Sequence, residues 1–349
     1  MGEQAGGRVR PFVDGPPGSE ADVLEAARAA AAHWSLDPPA LLRIGMNGIF
    51  TAGGVVLRVG RVTAPASAAI ELAEVLAAAG VRVPEPAWRD AVSIGPLTVT
   101  AWERLELIDV APDWRTIGTM VRRVHELDRA AIPAAYPVPR GAEFPWWQFD
   151  ELLAEVDDLL DPRAREGLVA AVERNRWWST GEDHGGASSE RRSSGGRPLG
   201  RLPDGAGSAS RAVGGAGGGR TGGAGSVADA PDVVCHGDVH PGNVAMTPSG
   251  PVLLDWDLLC SGPPGWDHAA LLGAHRWGYP ATWYDDFATG YGRSLADDPR
   301  TKAIAELRLV AATLMRLRAG RADPAAMPEA QHRLAYWRGD PHAGHWHAV

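Results

Sequence analysis

Val233-Val234-Cys235-His236-Gly237-Asp238-Val239-His240-Pro241-Gly242-Asn243-Val244, followed by Val252-Leu253-Leu254-Asp255-Trp256-Asp257, is the stretch around which the chain is organised. An apolar run delivers a polar loop, and Asn243 to Thr247 leads on into Thr247-Pro248-Ser249-Gly250 and a second apolar run. Pro followed within two residues by Gly, between two β-rich runs, predicts a tight hairpin. Folding that hairpin brings Asn243 and Asp255 to its open end, since opposed residues lie about 5 Å apart. Two oxygen-bearing side chains meeting there suit a hard cation such as Mg²⁺. Asp238, five residues before Asn243, feeds the same end.

The same five-residue step separates Asp and Asn in the kinase catalytic loop H-R-D-L-x-x-x-N, which a metal-binding Asp follows. Here the series is His236-Gly237-Asp238, Asn243 and Asp255-Trp256-Asp257. In its H-G-D-x-H-x-x-N form it resembles the aminoglycoside phosphotransferase family of kinase-like small-molecule phosphotransferases. The plainer reading, a loop whose Asp and Asn only cap turns, explains less of the pattern. The resemblance implies an α+β, bilobal protein-kinase-like fold, with a small β-rich N-lobe carrying one main helix and a larger, mostly helical C-lobe. It implies ATP and Mg²⁺ as cofactors and a small-molecule hydroxyl as phosphoryl acceptor. Asp238 would accept the hydroxyl hydrogen bond as catalytic base, and Asn243 and Asp255 would hold the metal. His236 and Asp267 would support the loop, and Asp257, pointing the same way as Asp255 on a strand, would support the metal shell or pair with a neighbouring base.

The totals fit this reading. A chain of 349 residues exceeds one typical domain, and 45% hydrophobic residues supply a sizeable core. The net charge of −9, with no basic block, argues against nucleic acid as a partner. Cys235 and Cys260 are the two cysteines, and this usage suggests reduced thiols in a cytoplasmic protein. The first residues lack an apolar signal region and no uncharged stretch is long enough to cross a bilayer, so no membrane association is expected. Nothing points to an obligate protein partner.

Residues 1–103 are expected to form the N-lobe. Ser19-Glu20-Ala21-Asp22 reads as a capping box that opens an Ala-rich helix running to about Trp34. Leu41 to Phe50 and Val55 to Val59 read as a hairpin, Pro65 to Ala79 as an amphipathic helix, and Ala87 to Ile94 and Leu97 to Trp102 as strands. By the resemblance, Arg58 takes the place of the strand lysine that grips the α- and β-phosphates. A solvated strand arginine is the plainer reading. Its helix partner would be Glu71, with Glu74 as runner-up. Asn47-Gly48 sits where a phosphate-covering loop would lie, although an ordinary turn serves equally well and G-x-G-x-x-G is missing. Trp102, Glu103 and Leu105 would form the nucleotide hinge.

Residues 104–349 are expected to form the helical lobe, with the catalytic loop at 236–243 and the metal hairpin at 244–257. Asp113 caps a helix from Trp114 to Leu127, on which His125 reads as a surface residue. Trp147 to Leu160 and Arg163 to Val172 read as a further helical pair. The Gly-, Ser- and Arg-rich residues 181–227 cannot bury enough apolar surface to order themselves and read as a disordered insertion. Asp267 reads as the family's structural acid or as a plain N-cap. His240 reads as structural, and Lys302 to Arg318 as core packing.

Aminoglycosides, amino sugars, macrolides, choline-like alcohols and sugars all have kinases of this shape, and fold does not choose among them. The family resemblance and acidic balance favour an aminoglycoside or amino sugar. Asp285, Asp286, Asp297, Asp298 and Glu306 are acids that could face a cationic acceptor, most of them readable as solvated helix ends. A nucleotide-binding pseudokinase acting as a regulatory module is the alternative of a different class.

Overall fold

Residues 16–180 and 231–347 are described by the structure, a computed structural model. The expected insertion at 181–227 lies outside the described residues.

Local sequence signals set the N-terminal elements. Ser19 accepts from Asp22 N while the Asp22 carboxylate accepts from Ser19 N, and this reciprocal cap opens α1, Glu20–His33. The sheet comprises β1 (Ala40–Ile44), β2 (Gly48–Ala52), β3 (Val55–Arg61), β4 (Val92–Ile94) and β5 (Leu97–Glu103), in the order β1-β2-β3-β5-β4. Its pairings are all antiparallel. The expected single strand from Leu41 to Phe50 is therefore two strands, because the chain reverses at Gly45-Met46-Asn47, where Gly45 N donates to Asn47 O. Likewise Ala87 to Ile94 is strand only from Val92; Pro84 and Pro86 lie just upstream, and Pro86 forms an isolated bridge with Trp102. Small side chains on α1 let it lie close on the sheet, packing Val23, Ala26, Ala27 and Ala30 against Phe50, Leu57, Val59 and Val99. Gly48 fits this packing, because a Cβ there would stand 2.3 Å from Val23 Cγ1.

Between β3 and β4 runs α2, Ala66–Ala78, whose Leu72 and Leu76 join a core shared with the helical lobe. That lobe holds α3 (Trp114–His125), α4 (Phe149–Val156), α5 (Pro162–Asn175) and the short α6 (Trp177–Thr180). After the undescribed segment come the strands β6 (Val233–Cys235), β7 (Val244–Thr247), β8 (Gly250–Leu253) and β9 (Cys260–Gly262). Four helices follow: α7 (Gly265–Leu272), α8 (Thr282–Tyr291), α9 (Pro299–Ala322) and α10 (Met327–Trp337). The long α9 is the axis of the lobe, and α4, α5, α7 and α10 pack around it. Helices α3 and α8 approach closely at Gly118 and Gly290, where any Cβ would meet backbone of the other helix at about 2 Å.

His125 is not at the surface. Its side chain is 3% exposed, its Nε2 lies 3.0 Å from Asp267 Oδ2 and its Nδ1 2.9 Å from Tyr291 Oη. The α3 sequence around it is charged, but the helix turns Arg122, Arg123 and Glu126 outward and this ring inward.

His268 is also fully buried, with Nδ1 3.2 Å from Tyr284 Oη. Burial, and then the neighbouring His125, push its imidazole down to about 3. As pH falls from about 6.5 the unfolded chain binds a proton that the folded chain refuses, so stability drops by about 1.4 kcal/mol per pH unit for this one group. His268→Asn should remove that contribution. Urea midpoints measured between pH 7 and 4.5 should fall less steeply in the variant than in the wild type; parallel slopes would show that the ring does protonate in the fold.

Candidate active site

Strand β6 pairs antiparallel with β9 and ends at Cys235, so the next residues leave the core as a loop beneath the cleft. Gly237 has φ +93°, and a Cβ there would lie 1.9 Å from Leu258 O. Only glycine fits that turn. Asp267, fully buried on α7, accepts the backbone N–H groups of His236 and Gly237 at 2.9 Å each. It sits inside the first turn of α7 behind Pro264, so it holds the loop and does not cap the helix. Burial alone would raise its pKa, but the hydrogen bond from His125, that ring's charge and His236 keep it lowered. His236 completes the brace. Its Nδ1 accepts from Asp238 N at 3.2 Å and its Nε2 donates to Leu254 O at 3.0 Å. Those partners require the neutral ring with its proton on Nε2, in line with the lowering of its pKa by burial.

Asp238 emerges from this frame partly buried, with both carboxylate oxygens engaged. Asn243 Nδ2 donates to Asp238 O at 3.0 Å and to Oδ2 at 3.2 Å. His240 accepts from Gly242 N through Nδ1, which leaves its Nε2 to donate to Oδ2 at 3.2 Å. Arg308, on α9, donates to Oδ1 at 2.6 Å and to Gly237 O at 3.1 Å. Burial would raise the Asp238 pKa, but the bond from His240 and then the charge of Arg308 hold it well below the carboxylate range.

The β7–β8 hairpin forms with Val244 opposite Leu253, and Leu254 N donates to Asn243 O at 2.9 Å, so its open end sets Asn243 opposite Leu254, with Asp255 the next residue. Because Nδ2 of Asn243 is spent on Asp238, its amide oxygen is free to coordinate. Asp255 has φ +60°, a conformation that a non-glycine residue seldom adopts. Burial and the adjacent Asp257 raise its pKa, which is the situation of a carboxylate crowded by negative charge. One amide oxygen and one such carboxylate are the donor set of a hard divalent cation, and the residues fit Mg²⁺ on that chemistry.

Asp257 does not extend a strand beside Asp255. The left-handed residue breaks β8, and Trp256–Leu258 forms a 3₁₀ turn that swings Asp257 back toward the sheet. There it pairs with Arg58, and Asn47 Nδ2 donates to the same carboxylate at 3.1 Å. Arg58 therefore does not pair with Glu71, which is exposed, or with Glu74, which binds Arg89 at 2.6 Å. Burial would lower the arginine's pKa, but Asp257, then Asp255 and Tyr136, raise it. Asn47, in the segment read either as a phosphate cover or as an ordinary turn, lies in a turn and bridges the lobes. At the hinge, Trp102 Nε1 donates to Thr100 Oγ1, and Glu103 is bound to Glu85 through both its N–H and its carboxylate. Arg104 N donates to Gly54 O.

The comparisons can be set against this geometry. Residues 224–310, which span the catalytic loop, the hairpin and Asp267, match the sequence pattern described as the phosphotransferase enzyme family. No curated protein matches the chain. Among solved structures, the chain is similar to macrolide 2'-phosphotransferase MphH from Brachybacterium faecium, at 18% identity over 89% of this chain and 98% of that one, with a TM-score of 0.52. It is similar to a choline/ethanolamine kinase family protein from Mesorhizobium loti, at 17% identity over 92% and 95%, TM-score 0.57. A GDP complex of aminoglycoside 2'-phosphotransferase-IIIa matches at 12% identity over 89% and 96%, TM-score 0.59. The matched segment thus sits in a fold that the chain shares with these solved structures.

Three residues around the site escaped sequence reasoning as site residues. Arg308 lies between Leu307 and Leu309 on a helix that otherwise reads as core. Tyr136, whose hydroxyl donates to Trp256 O at 2.9 Å, stands in an irregular segment. Nothing in the sequence marks either residue. His240 carried a signal, two residues after Asp238 and directly before Pro241, but was read as structural only.

Asp267→Ala should leave two buried N–H groups without acceptors and lower stability by roughly 3 kcal/mol. Urea unfolding measures this; a loss under 1 kcal/mol would mean that water replaces the carboxylate.

Proposed function

We propose that the protein transfers the γ-phosphoryl group of ATP to a hydroxyl of a small polar molecule, with magnesium. The observation that supports this reading is the Asn243 bond to Asp238 on a loop locked by Asp267 and His236, with the hairpin carrying Asp255 next to the residue that pairs with Asn243. In the kinase-like frame these three supply a hydroxyl acceptor and two metal ligands. Magnesium bound by Asn243 and Asp255 would neutralise and align the phosphate oxygens.

The chain's own residues do the rest. Asp238 accepts a hydrogen bond from the incoming hydroxyl and fixes the oxygen lone pair in line with the phosphorus. With its pKa held so low, it is a poor base, so the proton moves to it late, once the O–P bond has largely formed. Positioning accounts for more of the rate than base strength. Arg58 sits where it can exchange Asp257 for a phosphate, which frees Asp257 to support the metal shell. A guanidinium is suited to such an exchange because it presents the same donor fork to carboxylate and phosphate. Leu105 is the hinge residue proposed to meet the base. For the acceptor we infer a hydroxylated compound in the range of amino sugars, aminoglycosides, macrolides, sugars and small alcohols, and a cytoplasmic setting.

Asp238→Ala should reduce magnesium-dependent phosphate transfer about a thousandfold while ATP affinity, read by calorimetry, stays within about threefold of wild type. Tests should run across amino-sugar, aminoglycoside, macrolide and simple alcohol acceptors. Transfer at the wild-type rate in the variant would contradict the role of Asp238. Tight magnesium-ATP binding with no transfer to any acceptor would favour the pseudokinase reading.

A further inference from the structure

Asp238 divides its two oxygens between two sides of the site. Oδ2 takes Asn243 Nδ2 and His240 Nε2, both from the catalytic loop on the metal side. Oδ1 takes a single donor, Arg308 Nη2, from the opposite side. An ionised carboxylate offers about four lone-pair sites, so three are filled and one remains on Oδ1. The acceptor hydroxyl that docks on this remaining site necessarily lies beside the Arg308 guanidinium. Arg308 is built in, not loosely placed. Its side chain is 20% exposed, and its other bonded nitrogen holds Gly237 O, which also receives Trp266 Nε1 at 3.1 Å. Nη1 and Nη2 each spend one N–H on these acceptors, and each carries a second.

Four of the five acids expected to face a cationic acceptor have partners of their own, and the fifth, Asp285, is exposed on α8. Glu306 pairs with Arg174 and Asn175. Asp298 caps α9, accepting from Thr301 N at 2.8 Å. Asp286 lies 3.7 Å from Arg115, and Asp297 binds Lys302 at 3.1 Å.

We propose that Arg308 determines acceptor specificity, selecting compounds in which the reacting hydroxyl is flanked by an anionic group such as a carboxylate and disfavouring a vicinal ammonium. This rests on the phosphotransferase reading and narrows its acceptor class. A carboxylate on the carbon next to the hydroxyl would reach the spare guanidinium donors, in the planar, paired geometry that arginine offers to oxyanions. An ammonium at the same place would meet like charge in a partly desolvated pocket. Amines elsewhere on a larger acceptor are not affected.

The test uses the full chain, magnesium-ATP and two matched sets of acceptors. One set is glycerate, glycerol and 2-amino-1,3-propanediol; the other is glucuronate, glucose and glucosamine. Transfer of labelled phosphate gives kcat/KM for each, and calorimetry on the ADP complex gives affinities for the same compounds. Wild-type protein should favour the anionic over the cationic member by about tenfold or more in one set. Arg308→Gln should collapse that ratio toward one, and Arg308→Lys should keep its sign. Thermal melts establish that each variant is folded, and the charge-conserving variant keeps the proposal testable if the glutamine form is not. A wild-type preference for the ammonium compounds would overturn the proposal, as would a ratio unchanged in folded Arg308→Gln. An equal loss for every acceptor and for hydrolysis by water would also overturn it, by placing Arg308 with the nucleotide. A chain that binds no magnesium nucleotide contradicts the phosphotransferase reading itself. A chain that transfers phosphate with the wrong ratio contradicts only the role of Arg308.

Discussion

A buried carboxylate that accepts two backbone N–H groups is the contact on which the rest of the site depends. Asp267 fixes His236 and Gly237, and through them the direction in which Asp238 leaves the loop. Burying an ionised group is costly unless it is fully bonded. His125 supplies the remaining donor, so α3, α7 and the catalytic loop are joined at one point. The tryptophan cluster adds to this from the other side: Trp266 donates to Gly237 O while its ring packs 4.8 Å from Trp147 and 5.7 Å from Trp178. The loop thus rests on core, with little freedom to place Asp238 elsewhere.

Charge, in turn, organises the mouth of the cleft. Asp238, Asp255 and Asp257 stand close together, and two arginines from distant parts of the chain answer them. Arg58 comes from the sheet and Arg308 from the long C-terminal helix. Asp255 is the acid without an arginine, and its raised pKa reflects burial and the neighbouring Asp257. A divalent cation between Asn243 and Asp255 would relieve that crowding. The Arg58–Asp257 pair and the Asn47 bond to the same carboxylate join the two lobes directly. A nucleotide's phosphates would compete for this arginine, so closure of the cleft and binding are expected to be linked through one ion pair.

Much of this was legible from residue order because it depends on short-range patterns. The H-G-D-x-H-x-x-N spacing, the Thr247–Gly250 turn and the Ser19 cap are each decided within a few residues, and the structure forms them where they were expected. What was not legible depends on side chains meeting across long separations. Arg308 reaches Asp238 from seventy residues away, and its own helix looks like core on either side of it. The partner of Arg58 was mistaken because a left-handed Asp255 turns the chain after β8, and single-residue backbone reversals leave no periodic trace. His125 was misplaced for a related reason: the charged residues beside it suggest water, yet one buried acid decides where the ring points.

The central claim is that Asn243 and Asp255 share one divalent cation beside Asp238. Crystals grown with Mn²⁺ and a non-hydrolysable ATP analogue, with data collected at the manganese absorption edge, test this most directly. The account predicts an anomalous peak about 2.1 Å from both the Asn243 amide oxygen and an Asp255 carboxylate oxygen, bridged to the nucleotide phosphates. A peak bound to neither residue, with nucleotide present in the cleft, would contradict it.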